Sequence, residues 1–221
     1  MYRIFIGWDP NEVDAYHVLC NSIIRHASAP VSITPLKKEH VPIWRERNPL
    51  QSTEFSFSRF LVPSLCNYEG WSLFMDCDMM VTRDIVELFR EANERYAVQC
   101  VKHQYVPKTL TKFLGQKQSA YERKNWSAVM LFNNSRCRQL TPYYVNTATG
   151  RDLHQFAWLH DDEIGKLPGT WNFLVGEYDK PATLPANIHW TIGGPWFPEY
   201  IDTDYADLWF AERKLMYGTD V

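Results

Sequence analysis

The chain has 221 residues and a formal net charge of −3, without a long basic block. This charge argues against a nucleic acid or an anionic membrane as the main partner. The length fits one domain, and 45% hydrophobic with 22% charged residues is typical of a globular protein with a sizeable core.

The cysteines and the N-terminus indicate the compartment. The five cysteines are odd in number, form no Cys-x-x-Cys pair and mostly lie in apolar runs. We therefore predict reduced core thiols rather than disulfides or zinc ligands. The apolar stretch at residues 2–7 is too short for a signal peptide, and no apolar run is long enough to span a bilayer. The expected location is the cytoplasm, with no integral membrane segment.

The first elements predict a parallel sheet. Residues 2–7 and 31–36 are apolar enough for two buried strands. Between them, apolar residues recur at helical spacing at Val13, Tyr16, Cys20, Ile23, Ile24 and Ala27. The preceding Asp9-Pro10-Asn11-Glu12 is typical of a helix start with Asp9 as cap. A strand-helix-strand unit of this kind indicates an α/β fold.

The later elements follow the same rhythm up to Asn133. Residues 52–65 have helical spacing, 71–75 predict a strand, Thr82 is a candidate helix cap, and 96–101 and 126–132 predict further strands. The polar and basic residues 102–125 predict a mobile excursion that could act as a lid. Beyond Asn133 we predict a short helix at 152–159, followed by a Pro-, Gly- and Trp-rich segment packed irregularly around a cleft.

Two carboxylates, Asp76 and Asp78, directly follow the apolar run at 71–75. In an open parallel sheet, ligands bind at the carboxyl ends of strands. Carboxylate oxygens can hold a hard divalent cation and leave room for the oxygens of a diphosphate. The alternative is a solvated turn in which Asp78 caps the next segment.

The segment His189-Trp190-Thr191-Ile192-Gly193-Gly194-Pro195-Trp196 is unusual for a core element. Its glycines permit close backbone approach to a ligand, and their N–H groups can contact phosphate. An isolated histidine is more often structural than a metal ligand, and Trp196 fits a core position as well as an acceptor-stacking one.

Four patches of the chain together resemble glycosyltransferase family 8 in order and spacing. They are IFIGWD at 4–9, FSRFLVP at 57–63, WSAVMLFN at 126–133 and the His189 segment, with Asp76-Cys77-Asp78 as the Asp-x-Asp motif. The resemblance implies a single GT-A (Rossmann-like) domain over 1–221, with a mixed, mostly parallel sheet flanked by helices. Residues 1–135 would form the nucleotide-binding half, and 136–221 the loop-rich half on the side of the acceptor and the sugar.

The resemblance also implies a chemistry. Asp76, Asp78 and His189 would bind Mn²⁺ or Mg²⁺, Asp9 would contact uracil, and a hexose-type sugar would pass from a UDP-sugar to a saccharide, lipid-linked or protein acceptor. The family resemblance favours retention at the anomeric carbon, although no unique base or nucleophile stands out in the sequence.

One departure from the family concerns the diphosphate. Gly194 stands where the family has a lysine, in a segment one residue shorter. Candidates to replace that cation are Arg59, Lys102, Arg123 and Lys124, or the N–H groups of Gly193 and Gly194 alone.

An acidic segment supplies the remaining catalytic candidates. In His160-Asp161-Asp162-Glu163, either Asp161 or Asp162 could contact sugar hydroxyls or stabilise positive charge at the anomeric carbon, unless the segment is a solvated loop. Arg59 is a candidate for phosphate contact, or else for an ion pair.

Two other classes of protein remain open. A nucleotidyltransferase would usually have a Gly-rich basic loop after the first strand, whereas Gly7-Trp8-Asp9-Pro10-Asn11-Glu12 is acidic with one glycine. A non-catalytic nucleotide-sugar-binding module would bind UDP without turnover. The sequence favours a metal-dependent glycosyltransferase.

Overall fold

The computed structural model describes residues 1–47, 51–109, 111–118 and 120–218. The strands in this part of the chain are β1 (Tyr2–Gly7), β2 (Val31–Leu36), β3 (Trp71–Met75), β4 (Met79–Val81), β5 (Val98–Cys100), β6 (Thr111–Lys112), β7 (Gln116–Lys117), β8 (Val129–Asn133), β9 (Ile164–Lys166), β10 (Phe173–Leu174) and β11 (Asn187–His189). The α-helices are α1 (Val13–His26), α2 (Val62–Leu65), α3 (Ile85–Arg90), α4 (Pro142–Thr147), α5 (Gly150–His154) and α6 (Ala206–Tyr217).

A six-stranded sheet forms the centre of the molecule, in the order β2-β1-β3-β8-β5-β9. The pairs β1–β2, β1–β3 and β5–β9 are parallel, while β8 runs antiparallel to both β3 and β5. Strands β3 and β8 are buried almost throughout because both faces of the sheet are covered. This mixed, mostly parallel sheet confirms the predicted α/β class.

Two smaller sheets lie beside the central one. Strands β10, β11 and β4 form the first, in which β11 pairs with β4 in antiparallel register, placing His189 opposite Met79. Strands β6 and β7 form a short hairpin within the predicted excursion at 102–125. The backbone turns at Leu114 and Gly115, both at positive φ.

The long helices α1 and α6 pack against each other on one side of the molecule. Glu212 on α6 is 5% exposed and accepts hydrogen bonds from Asn21 and Arg25 on α1, at 2.6 and 3.0 Å. Trp209 and Val18 belong to one apolar cluster at this contact. The helix pair thereby joins the beginning of the chain to its end.

Several sequence predictions of local structure need correction. The strands at 2–7, 31–36 and 71–75 are confirmed, but residues 52–65 form turns, a 3-10 helix (Ser58–Leu61) and α2 rather than one helix. Asp9 does not cap α1, whose N-terminal neighbour is Glu12, and Asp84 rather than Thr82 caps α3. The 12-residue α6 lies where irregular structure was expected.

None of the helices in the described ranges combines the length and the apolar character that a membrane span needs.

Candidate functional site

A cavity of about 810 Å³ opens at the carboxyl edge of the central sheet. Asp76 and Asp78 lie in its wall, beyond the end of β3. The lining also includes Arg45, Phe55, Arg59, Lys112, Phe113, Gln118, Lys124, Ser127, His154 and Thr191. Carboxylates and cations therefore face the same space, which suits a ligand that carries both a metal ion and phosphate groups.

Asp76, Asp78 and His189 converge at one end of the cavity. Each offers an atom that could ligate a metal, and these three atoms lie within 4.8 Å of one another. Strand pairing explains the convergence. Because His189 of β11 is paired with Met79 of β4, its imidazole lies beside Asp78, the residue before β4. The Trp190 N–H extends this pairing by donating to the Asp78 carbonyl at 2.9 Å.

The orientation of the His189 imidazole bears on whether the cluster of Asp76, Asp78 and His189 could hold a metal ion. Asn172 donates through Nδ2 to the Asn125 carbonyl, so its Oδ1 accepts from His189 Nδ1–H at 2.8 Å. The Nε2 atom of His189 then faces Asp78 Oδ1, 3.2 Å away, a distance at which either a proton or a divalent cation can lie between them. A cation that replaced the proton would be ligated by both atoms, and its binding would release that proton.

Arg59 orients the other carboxylate. Its guanidinium Nη1 lies 2.8 Å from Asp76 Oδ1 and donates to the Ser127 carbonyl at 2.8 Å. Burial raises the pKa of Asp76 to about 6, although the positive charge of Arg59 lowers it and the negative charge of Asp78 adds to the rise. Arg59, predicted as a phosphate or ion-pair residue, thus forms a buried ion pair with a candidate metal ligand.

Asp9 and Glu12 form a buried acidic layer behind the Asp pair. Asp9 is 2% exposed and accepts from the backbone and side chain of Asn11, both at 2.9 Å, and from the Glu54 N–H at 3.0 Å. Glu12 is 1% exposed and accepts from the Cys77 thiol at 3.6 Å. Burial, with the charges of Asp78 and Asp9 in support, raises the pKa of Glu12, so the protonated form is favoured.

The glycine turn after β11 is tightly packed. The Gly193 N–H donates to the Trp190 carbonyl at 3.0 Å within this turn. Gly193 adopts a φ of +151°, and a Cβ there would lie 2.5 Å from the Tyr200 ring. A Cβ on Gly194 would lie 2.1 Å from the Trp196 ring. The packing of Trp196 is therefore incompatible with a lysine at Gly194.

The remaining predicted residues differ in whether they line the cavity. Asp161 and Asp162 are exposed and do not line the cavity, and Asp161 forms an ion pair with Arg123 at 2.6 Å. Lys102 lies over the Trp126 ring, with its Nζ 5.5 Å from the centroid. Lys124 does line the cavity, and burial lowers its pKa to about 8.

The structure adds site residues that sequence reasoning missed. Ser127 Oγ and His154 Nδ1 form a hydrogen bond of 2.8 Å in the cavity wall. Lys112 enters the cavity from the β6–β7 hairpin. No local motif marks Ser127, His154 or Lys112, because each becomes part of the site only through long-range packing. Asn172 lies in the Leu167-Pro168-Gly169-Thr170-Trp171-Asn172 segment, whose similarity to the family could have singled it out.

Two relatives match the sequence, while no protein-family model matches it. The chain is 48% identical over 224 residues to Protein CDI of Arabidopsis thaliana, covering 96% of this chain and 86% of that protein. It is 26% identical over 212 residues to Glycosyltransferase GlyB of Streptococcus pneumoniae, covering 83% of this chain and 46% of GlyB. The chain therefore corresponds to less than half the length of GlyB.

Solved glycosyltransferases share the fold at low identity. The galactosyltransferase LgtC, in complex with donor and acceptor sugar analogs, matches with a TM-score of 0.64 and 11% identity over 96% of this chain and 95% of LgtC. The glycosyltransferase GlyE of Streptococcus pneumoniae gives 0.64 and 16%, covering 98% of this chain and 62% of GlyE. WbbM, a bifunctional glycosyltransferase, gives 0.62 and 17%, covering 98% of this chain and 51% of WbbM.

These matches support the predicted transferase class, since a homologue and several structural neighbours are glycosyltransferases. The 48% identity covers nearly the whole chain and shows the family directly. The chain therefore belongs to the same family as Protein CDI of Arabidopsis thaliana, and its fold is that of the GT-A glycosyltransferases.

Proposed function

We propose that this protein is a metal-dependent glycosyltransferase that moves a hexose-type sugar from a UDP-sugar to an acceptor. The observation that carries the proposal is the convergence of Asp76, Asp78 and His189 at the carboxyl edge of a GT-A sheet. At this edge a metal ion and the diphosphate of a nucleotide can share one cavity.

The chain's own residues prepare the metal site. Asp76, Asp78 and His189 would hold Mn²⁺ or Mg²⁺, which when bound supplies a Lewis acid and a template for the diphosphate. Arg59 holds Asp76 in place through a contact of 2.8 Å, and Asn172 fixes the tautomer of His189 through another of 2.8 Å. Such outer contacts matter because they orient the ligands before the metal arrives.

The rest of the donor site is proposed from the family 8 resemblance. Asp9, which is buried after β1 and does not line the cavity, is the proposed contact for uracil. Asp161 or Asp162 is the proposed contact for the sugar after closure. Residues 102–125 contribute Lys112, Phe113, Gln118 and Lys124 to the wall and would exclude water from the bound donor. The family 8 resemblance supports transfer with retention, and the reduced thiols fit a cytoplasmic protein.

Calorimetric titration of UDP with Mn²⁺, and again with EDTA, tests the proposal. We expect binding that requires Mn²⁺ and falls at least about 10-fold in Asp78→Asn, because a neutral amide is a poorer ligand for a hard cation. Asp207→Asn is the matched control, since Asp207 is exposed in the first turn of α6.

The outcomes separate the rival classes. If the affinity for UDP were the same with and without Mn²⁺ and were unchanged in Asp78→Asn, the metal site would have to be removed from the proposal. Metal-dependent UDP binding without hydrolysis or transfer of any UDP-sugar would identify a binding module. Turnover of nucleoside triphosphates instead of UDP-sugars would identify a nucleotidyltransferase.

A further inference from the structure

The β6–β7 hairpin is held across the cavity from both sides. On one side, Gln116 Nε2 donates to the Ser52 carbonyl at 3.0 Å. On the other, the Phe113 N–H donates to the Ile192 carbonyl at 2.8 Å, and the Phe113 and Phe197 rings stack with centroids 5.1 Å apart. These contacts attach the hairpin to the glycine turn that follows His189. Lys112 belongs to the hairpin and lies next to the residue, Phe113, through which the hairpin is attached to that turn.

Lys112 faces the metal ligands from this position. It lines the cavity together with Asp76 and Asp78. Burial lowers the pKa of Lys112, while the negative charges of Asp78, Glu12 and Asp76, in that order, oppose the decrease. The wall of one cavity thus contains the carboxylates of Asp76 and Asp78 and the ammonium group of Lys112. A diphosphate bound to a metal at Asp76 and Asp78 would bring its negative charge into reach of the same group.

Several other cations in or near the cavity already have partners. Arg59 pairs with Asp76, and Arg123 pairs with Asp161. Arg45 donates to the Val145 carbonyl at 2.8 Å, and Arg151 donates to the Gln155 side chain at 3.2 Å. The charges that act on Lys124 come from Lys112 and Glu177 rather than from the Asp pair. The packing of Trp196 excludes a long side chain at Gly194.

We propose that Lys112 is the diphosphate-binding cation of this site, delivered by the β6–β7 hairpin rather than by the glycine turn. The assignment rests on the proposed function. Its ammonium would donate hydrogen bonds to oxygens of the diphosphate, in addition to the contacts that the metal makes with it. Because UDP is the product that leaves after transfer, the same contact stabilises the charge that develops on it.

Calorimetry with UDP and UMP in Mn²⁺ tests this assignment on wild type, Lys112→Gln and Lys112→Arg. We expect Lys112→Gln to weaken UDP binding roughly 10- to 100-fold, as for the loss of a charged hydrogen bond, and UMP binding less than about 3-fold. Lys112→Arg should recover part of the UDP affinity because it keeps the charge. Lys108→Gln is the matched control, since Lys108 lies in the same excursion but pairs with Asp179 at 3.7 Å.

A titration with Mn²⁺ alone shows whether a loss of UDP binding in Lys112→Gln comes from the missing ammonium group or from misfolding of the variant. Lys112→Gln should bind Mn²⁺ at least as tightly as wild type because it loses a positive charge beside Asp76 and Asp78, whereas an unfolded variant would lose both ligands. UDP affinity within twofold of wild type, or equal losses for UDP and UMP, would overturn the assignment. If wild type binds no UDP at all, the proposed function fails and the role of Lys112 fails with it.

Discussion

At the scale of single residues, His154 is a buried histidine in the cavity wall. Its Nδ1 is 2.8 Å from Ser127 Oγ, and the Phe60 ring meets the imidazole edge-on at 5.2 Å between centroids. Burial lowers the pKa of His154 to about 3, and the charge of Arg59 adds to the decrease. The imidazole is therefore neutral at physiological pH and can accept the Ser127 hydroxyl proton in a hydrogen bond.

This neutral histidine makes stability depend on pH. Near pH 5 the unfolded chain binds a proton at His154 but the folded chain does not, because the folded pKa of about 3 is below the unfolded value. Acidification from pH 7 to 5 should therefore cost wild type up to about 2 kcal/mol that His154→Gln does not lose. Urea unfolding of both proteins at pH 7 and pH 5 gives the four free energies of unfolding that are needed. If wild type and His154→Gln differed in stability by the same amount at both pH values, a neutral, buried His154 would be contradicted.

How well the sequence predicts a site residue depends on the neighbours of that residue along the chain. Asp76 and Asp78 are separated only by Cys77 and follow an obvious strand, so their type and spacing were sufficient to mark them as candidate metal ligands. Lys112 lies in a polar segment that contains several other lysines, so the sequence does not mark it as a site residue. Its place in the cavity wall depends on the hairpin, which is held by the contact between Phe113 and Ile192. A residue positioned by distant backbone contacts leaves no local pattern.

At the scale of elements, Asp84 links two helices. Its Oδ1 accepts from the Val86 N–H at 2.9 Å and thereby caps α3. The same oxygen accepts from the Ser28 N–H at 3.1 Å, and Oδ2 accepts from the Ser28 hydroxyl at 2.5 Å. One carboxylate thus begins α3 and holds the segment after α1.

Removal of this cap should destabilise the protein measurably. Asp84→Ala should lower the free energy of unfolding by about 1 to 2 kcal/mol, because the N-terminal N–H groups of α3 lose their acceptor. Urea denaturation gives this value. Asp84→Asn should lose less, since its amide oxygen can still accept, and an alanine variant as stable as wild type would rule out a capping role.

Helices and strands were predictable from the sequence where they depend only on the pattern of neighbouring residues. Strands β1, β2 and β3 follow from apolar runs bounded by turn residues. The helix predicted at 52–65 failed because tertiary contacts hold the segment in turns, including the Glu54 N–H donated to Asp9 at 3.0 Å. Helix α6 was missed because it depends on packing against α1, where the charged Glu212 is buried together with Trp209.

At the scale of the whole molecule, the candidate metal ligands come from distant parts of the chain. Asp76 and Asp78 follow a strand of the central sheet, whereas His189 ends a strand of the small one. A ligand that binds all three stabilises the folded state as a unit, because the unfolded chain cannot bring them together.

Thermal unfolding should report this connection. With Mn²⁺ and UDP at about 100 times the dissociation constant, linkage predicts about 2.7 kcal/mol of stabilisation and a Tm higher by roughly 5 to 10 °C. EDTA should abolish the increase, and Asp78→Asn should reduce it. An equal increase in the presence of EDTA would show that UDP stabilises the protein without a metal.

The sequence by itself determined the class of fold and the types of residue that could bind a metal, because periodicity and strand-end carboxylates are local features. The tertiary structure decided which of these residues share a site. Only the β4–β11 register brings His189 to Asp78, and only the β6–β7 hairpin brings Lys112 to the cavity. Such contacts depend on packing between residues far apart in the chain, on which a local pattern carries no information.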